Sequence, residues 1–175
     1  MNQFLKLRKS VSALFLLCVL LVQTNIRGAE SFELQDGDRV VFLGDALIEQ
    51  EQYAGWIEVM MTTAFPERDV TFRNLGWSAD TPSGKSRFGL SLLPAGREPA
   101  GEGWRQLVKQ LKFTQPTVIV FGYGMASALD SGMEGVAAFT QDYQRLVDTA
   151  KQMQPDLRCV LLSPLGRRDD QSRTI

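Results

Sequence analysis

Residues 117–121 read TVIVF, an uninterrupted run of β-branched and aromatic residues. A strand without polar alternation is typical of a parallel sheet that is covered on both faces. Three further segments have strand character: 39–43 (RVVFL), 69–74 (DVTFRN) and 157–162 (LRCVLL). Apolar residues at helical spacing predict helices over 52–65, 103–112 and 133–153, while 75–102 and 122–132 are predicted to be loops. The alternation of strands and helices indicates an α/β fold.

The predicted architecture is a three-layer α/β/α sandwich around a parallel, doubly wound sheet with flavodoxin-like strand order. In such sheets the working groups lie in loops at the carboxyl ends of the strands, and here those loops begin at Gly44, Asn74, Gly122 and Ser163. The fourth strand is apolar and needs a neighbour or a covering helix. We therefore expect the last strand and helix of the sandwich to be missing and the domain to be incomplete at its C-terminus.

The N-terminal segment has the composition of a secretory signal. Lys6, Arg8 and Lys9 precede an apolar run over 11–22, and the segment ends in the small residues Gly28 and Ala29. The run is shorter than the roughly 20 apolar residues of a membrane span, although an uncleaved anchor is the alternative. The sequence thus predicts a signal peptide over 1–29, a domain over 30–175, a secreted or periplasmic location and no stable membrane span after cleavage.

The composition excludes several kinds of chemistry. The chain contains no histidine, which excludes Ser-His and Cys-His catalysis and histidine-ligated zinc within this chain. All four charges in the predicted signal are basic, so residues 30–175 carry 15 basic and 20 acidic residues, a net charge of −5. No basic patch indicates nucleic acid, and neither a metal nor a cofactor is predicted. Cys159, the only cysteine after the signal, lies in an apolar run and is interpreted as a buried structural thiol.

Short blocks at the four strand ends resemble those of the SGNH (GDSL-type) esterase family. The blocks are 44–47 (GDAL), 74–76 (NLG), 124–127 (GMAS) and 163–164 (SP), in the family's order. The resemblance covers roughly residues 37–165 and implies the family's fold and an activity on ester bonds. The chain departs from the family pattern at its C-terminal end, where the family's DxxH block is absent.

The resemblance also implies where catalytic groups would stand. The family's nucleophilic serine falls at Ala46, its oxyanion glycine at Gly76 and its oxyanion asparagine at Ala126. Acyl transfer requires a nucleophile, a base and oxyanion donors. Because the side chain of Ala46 has no heteroatom, that of Ala126 has no amide and histidine is absent, a conventional serine-esterase mechanism is excluded for this chain alone.

Five other residues are candidate binding residues: Asp45, Asn74, Trp77, Tyr123 and Met125. Asp45 is predicted to bond loop N–H groups, the alternative being a carboxylate base acting on water. For Trp77, Tyr123 and Met125, together with Phe88, the sequence leaves two interpretations open. They line a cleft for an apolar or sugar-ring group, or they pack the loops onto the core.

Three motifs compete with this interpretation. Residues 79–86 (ADTPSGKS) fit a loose P-loop pattern, but Pro82 and the poor helix that follows argue against it. Residues 122–127 (GYGMAS) resemble a dinucleotide fingerprint, although a glycine turn is the favoured interpretation. Ser78 could be activated only by Lys85, a Ser-Lys pair for which the sequence offers no further support.

The sequence supports three functional hypotheses. The first is an exported esterase-like hydrolase domain that is catalytically impaired. The second is a non-catalytic extracytoplasmic module that binds a small acylated or carbohydrate ligand. The third is a fragment whose missing C-terminal part would complete the sheet. The oligomeric state is not predicted.

Overall fold

Among the described residues the sheet has four parallel strands in the order β2-β1-β3-β4, where β1 is Arg39–Gly44, β2 is Thr71–Asn74, β3 is Val118–Gly122 and β4 is Arg158–Leu161. The structure is a computed structural model that describes residues 32–87 and 101–164. The chain divides into two units, Met1–Glu33 and Leu34–Ile175, and the described strands and helices all belong to the second. Of the first unit only Phe32 and Glu33 are described, so the predicted signal segment lies outside the described residues.

Five α-helices of the described part connect and cover the strands. They are α1 (Ala46–Ala54), α2 (Trp56–Ala64), α3 (Glu102–Thr114), α4 (Met125–Ser131) and α5 (Val136–Met153), and a 3-10 turn, Gly132–Gly135, precedes α5. No helix among the described residues is long and apolar enough to cross a membrane.

The α/β sandwich predicted from the sequence is confirmed. Side chains alternate along each central strand, so that Val41 and Ile119 point to one face while Val40 and Val118 point to the other. The first face packs on α3 and α5 through Leu107, Leu111, Leu146 and Ala150. The second packs on α1 and α2 through Ile48, Ile57 and Met61. The strand order is the predicted flavodoxin-like order.

Two of the predicted elements were wrong. The single helix expected over 52–65 is two helices, because it begins earlier, at Ala46, and is interrupted at Gly55, whose φ of +66° is left-handed. The loop expected over 122–132 contains helix α4, which begins directly after Gly124. Cys159 is half-buried rather than buried, and this burial raises the pKa of its thiol.

Candidate functional site

The loops that follow β1 and β3 meet at the carboxyl edge of the sheet. Gly44 and Gly122, the last residues of these strands, are register partners. Helix α1 begins two residues after Gly44 and helix α4 begins three residues after Gly122. The predicted positions Ala46 and Ala126 therefore lie in the first turns of two neighbouring helices, above one edge of the sheet.

Asp45 joins these two helix starts. Its side chain is buried, and Oδ2 accepts hydrogen bonds from the backbone N–H groups of Gly124, Met125 and Ala126, at 3.2, 3.1 and 3.2 Å. Oδ1 accepts a longer one, at 3.4 Å, from Leu47 in the first turn of α1. One carboxylate thus caps the N-termini of both α1 and α4, where the exposed N–H groups favour negative charge. The bonding to loop N–H groups predicted for Asp45 is confirmed.

A cavity of about 520 Å³ opens beside these helix starts. Ala46 and Ala126 both line it, so the two positions that the family resemblance assigned to a nucleophile and an oxyanion donor face the same space. Met125 and Leu129 of α4, 39% and 71% exposed, give the wall apolar character. The remaining lining residues come from the loop after β2 and the end of α4: Ala79, Thr81, Lys85, Ser86 and Asp130.

In the loop after β2, the hydrogen-bond donors of Asn74 and Gly76 already have partners within the protein. The Gly76 N–H, which the resemblance assigned to an oxyanion, donates to Asn74 Oδ1 at 2.7 Å. Asn74 Nδ2 in turn donates to the Ile48 carbonyl at 2.7 Å, which ties β2 to α1. Asn74 and Gly76 therefore hold the loop and α1 together, and the Gly76 N–H already has its partner.

Glycine is required where α1 approaches the sheet. A Cβ on Gly76 would lie 2.2 Å from the Glu49 nitrogen, and one on Gly122 would lie 2.6 Å from a side-chain carbon of Ile48. Neither contact can be accommodated without moving α1 or its core side chain Ile48. The close docking of α1, and hence the position of Ala46, depends on these glycines.

A buried polar network, which was not predicted from the sequence, fixes the loop after β2. Asp80 and Arg87 are 0% and 1% exposed, and Arg87 Nε lies 2.7 Å from Asp80 Oδ2. The same guanidinium donates to Gln110 Oε1 at 2.6 Å and to the Leu75 carbonyl at 2.7 Å. Both residues belong to a segment rich in Gly, Pro and Ser, whose pattern carries no signal of burial.

Tyr123 belongs to this network and does not line the cavity of about 520 Å³. Its ring is 2% exposed, and its hydroxyl donates to Asp80 Oδ2 at 3.2 Å. Burial and the negative charge of Asp80 raise the pKa of Tyr123 far above its ordinary value. Trp77 is half-buried, with its ring centroid 6.0 Å from the Arg87 guanidinium. Of Trp77, Tyr123 and Met125, only Met125 lines the cavity. Phe88 lies outside the described residues.

The Ser78–Lys85 pair is not assembled. Ser78 Oγ donates to Glu49 Oε2, and Lys85 Nζ forms an ion pair with Asp130 Oδ2 at 2.8 Å. The hydrogen bond and charge of Lys85 lower the pKa of Asp130. Both groups of the proposed pair therefore have other partners, and the Lys85–Asp130 pair links the loop to α4 at the cavity.

In the P-loop-like and dinucleotide-like motifs, backbone N–H groups that could bind phosphate already donate to acceptors within the protein. In residues 79–86 the N–H groups of Asp80, Gly84 and Ser86 donate within the loop, to Trp77, Thr81 and Asp80. In residues 122–127 the N–H groups at the start of α4 are taken by Asp45. A phosphate would have to displace these internal acceptors. Within 32–87 and 101–164 no group of three or more acidic, cysteine or histidine side chains could hold a metal ion.

No protein-family model and no curated protein matches the chain. Solved structures similar to it include a psychrotrophic esterase from Pseudoalteromonas sp., at 19% identity and a TM-score of 0.48, covering 71% of this chain and 58% of that one. An acetyl xylan esterase from Geobacillus stearothermophilus is similar at 15% identity and a TM-score of 0.49, covering 79% and 66%. A protein described as a GDSL-like lipase, from Parabacteroides merdae, is similar at 16% identity and a TM-score of 0.44, covering 78% and 64%.

The chain spans about three fifths to two thirds of the length of these three proteins. At TM-scores below 0.5 and identities below 20%, these structures do not indicate what activity this chain has. Function is therefore inferred from the residues around the cavity.

Proposed function

We propose that this chain is an exported, hydrolase-like α/β domain that binds a small acylated or carbohydrate ligand in the cavity and is impaired in ester hydrolysis. The observation that supports the proposal is that Ala46 and Ala126 line one cavity of about 520 Å³ at the carboxyl edge of the sheet. A ligand in this space meets two methyl groups where an SGNH-type esterase would present a hydroxyl and an amide.

Impairment follows from the chemistry of the groups present. A serine-type hydrolase needs an activated hydroxyl and a base, and this chain has alanine at position 46 and no histidine. The Gly76 N–H donates to Asn74, so it is not free to stabilise an oxyanion. Loss of a single oxyanion donor costs about 100- to 1000-fold in rate, and loss of the nucleophile or base costs more.

Ligand binding is supported by the size and lining of the cavity. Small-molecule sites have volumes of roughly 300–1,000 Å³ and combine apolar walls with a few polar groups. Here Met125 and Leu129 supply apolar surface, while Thr81 and Ser86 supply hydroxyl groups. Such a lining suits a sugar ring or a short acyl chain, each of which has apolar and hydrogen-bonding parts.

Export is supported by the basic, apolar and small-residue regions of residues 1–29. Expression of the whole chain in a secreting host, followed by N-terminal sequencing of the exported product, tests this part. A product that begins near Glu30 supports export, and a chain retained in the cytoplasm with Met1 intact overturns it.

The ligand site is tested with a matched set of alanine-to-leucine variants. Ala46→Leu and Ala126→Leu fill the cavity, while Ala64→Leu places the same group on the exposed end of α2. Binding of acetylated and unacetylated oligosaccharides is followed by ligand-observed NMR. We expect at least one class to bind wild type and Ala64→Leu and to bind the two cavity variants at least about tenfold more weakly, a loss of roughly 1.4 kcal/mol.

The impairment is tested separately with p-nitrophenyl acetate. We expect no saturable turnover by wild type, because Ala46 cannot act as a nucleophile and the chain has no histidine to act as a base. Saturable turnover by wild type would overturn the impairment while leaving the binding proposal intact, and its loss in Ser78→Ala would assign the activity to Ser78. Failure of every oligosaccharide and acyl ester to bind would overturn the binding proposal.

A further inference from the structure

A second cavity, of about 370 Å³, lies along α3 and shares no lining residue with the ligand site. Its lining residues repeat along one face of the helix: Trp104, Arg105, Val108, Lys109 and Lys112. Three of the five are cationic and none is anionic. Because residues 30–175 carry a net charge of −5, this groove is a local concentration of positive charge on an acidic domain.

The positive charge that is not ion-paired in the groove comes mainly from two lysines, of which Lys109 also interacts electrostatically with Glu102. Arg105 forms an ion pair with Glu102, with Nη2 2.7 Å from Oε2. Lys109 and Lys112 are exposed, and neither forms an ion pair with a described residue. Successive cations lie about 6 Å and about 4.5 Å apart along the helix axis, given the rise of an α-helix. A chain that carries an anion at each regular repeat would match this row.

An aromatic contact limits what kind of chain fits. The Arg145 guanidinium of α5 lies 3.9 Å from the centroid of the Trp104 ring, which is a close cation–π contact. One face of the indole is thereby covered, so the described residues of the groove offer no open row of aromatic platforms of the kind on which single-stranded nucleic acid stacks its bases. Arg145 at the same time adds a further positive charge beside the groove.

We propose that the groove on α3 binds a linear acidic polysaccharide, with Lys109 and Lys112 as the principal contacts to its carboxylate or sulfate groups. The attraction is between exposed charges, so it is screened by salt and is strongest at low ionic strength. Both lysines lie on a helix, which fixes their backbone positions, so the partner does not have to order a loop when it binds.

The test uses the whole domain and polygalacturonate oligomers as the probe, with a neutral glucan of matched length for comparison. Binding is measured by titration calorimetry at low and moderate salt. Lys109→Gln/Lys112→Gln removes two charges from the groove, and Arg68→Gln/Arg73→Gln removes two exposed arginine charges from the loop after α2 and from β2. We expect the groove variant to bind about tenfold more weakly or worse, and the control variant to bind like wild type.

A membrane surface is the competing partner, and a third variant separates the two. Phe113, 89% exposed, follows Lys112 but does not line the groove. Phe113→Ala should leave polygalacturonate binding unchanged. Binding to vesicles with anionic lipid that is lost in Phe113→Ala, without binding to polygalacturonate, would overturn the proposal. Equal loss in the groove and control double variants, or equal binding of the neutral glucan, would also overturn it.

Discussion

The carboxylate of Asp45 accepts a hydrogen bond of 3.2 Å from the backbone N–H of Ala126, 81 residues further along the chain. Asp45 directly precedes Ala46, so this contact holds together Ala46 and Ala126, two of the residues that line the cavity. The site is thus built around a structural anion that occupies the N-terminus of α4. The same carboxylate accepts the N–H groups of Gly124 and Met125, and three backbone donors depend on it.

Replacing Asp45 should therefore destabilise the fold. Asp45→Ala leaves the three donors at the start of α4 without their acceptor, and we expect a loss of about 2–4 kcal/mol in the free energy of unfolding. Asp45→Asn retains an acceptor without the charge, and about half that loss is expected. Urea denaturation measures both. Asp36→Ala, which removes an exposed acceptor of a single N–H group, is the matched control. An Asp45→Ala loss no larger than that of the control contradicts the prediction.

The close contact between the loop after β2 and α1 makes a second prediction. A Cβ on Gly76 would lie 2.2 Å from the Glu49 nitrogen, so Gly76→Ala must displace α1 or the loop, and we expect a loss of about 3 kcal/mol. Gly55→Ala is the comparison, since its Cβ meets no atom within 4 Å and only its positive φ of +66° is strained. About 1 kcal/mol is expected there. Thermal unfolding measures the stability lost in each variant. Equal losses would show that the close approach of α1 does not require glycine at position 76.

The sheet and the place of the site were accessible from the sequence because their signals are local. The run over 117–121 and the three other segments with strand character predict a parallel sheet, and parallel strands put Asp45, Asn74 and Gly122 at one edge. The four strands were found within a few residues of their observed bounds. Strand type and order follow from periodicity and from the handedness of the connections.

The features that were not predicted depend on contacts between distant residues. Helix α4 was predicted to be a loop because its capping carboxylate, Asp45, lies about 80 residues upstream. For Tyr123 the sequence left open a cleft wall or packing on the core, and the pairing of its hydroxyl with Asp80 makes it part of the core. The burial of Arg87 likewise cannot be read from a loop composition, since a charged residue is buried only where its partners are already in place.

The buried ion pair of Asp80 and Arg87 is expected to behave as a coupled unit. Asp80→Leu leaves the Arg87 guanidinium buried without its counter-charge, and a loss of about 3–5 kcal/mol is expected. Arg87→Met should cost a similar amount. The double variant removes both charges, so its loss should fall well below the sum of the two single losses.

Tyr123→Phe is the control for this cycle, because it removes only the hydroxyl that donates to Asp80. About 1 kcal/mol is expected for that change. Chemical denaturation of wild type, the two single variants and the double variant gives the coupling energy directly. Strict additivity of the two single variants would mean that the pair contributes through packing alone.

Asp38, which directly precedes β1 at the amino end of the strands, makes the stability of the fold depend on pH. Burial by itself would raise the pKa of Asp38, but hydrogen bonds from Arg158, the Gln35 N–H and Thr117 outweigh it and hold the pKa below its ordinary value of 3.8. A carboxyl whose folded pKa is lowered stabilises the fold at pH values above its ordinary pKa, and this contribution is lost as the pH falls through the folded pKa. The Asp38 contribution should therefore be complete at pH 6 and disappear below the folded pKa.

Comparison with Asp38→Asn isolates this contribution. At pH 6 the variant should be less stable than wild type by about 2 kcal/mol, since it keeps the shape of the side chain but loses the charge-assisted bonds. The difference should shrink as the pH approaches 2, because wild type then carries a neutral carboxyl as well. Thr117→Val removes one of the donors, the hydroxyl 2.7 Å from Asp38 Oδ1, and should reduce the pH-dependent part without abolishing it. Denaturation curves at pH 6, 4 and 2.5 measure the trend, and a difference that stays constant or grows on acidification would contradict the lowered pKa.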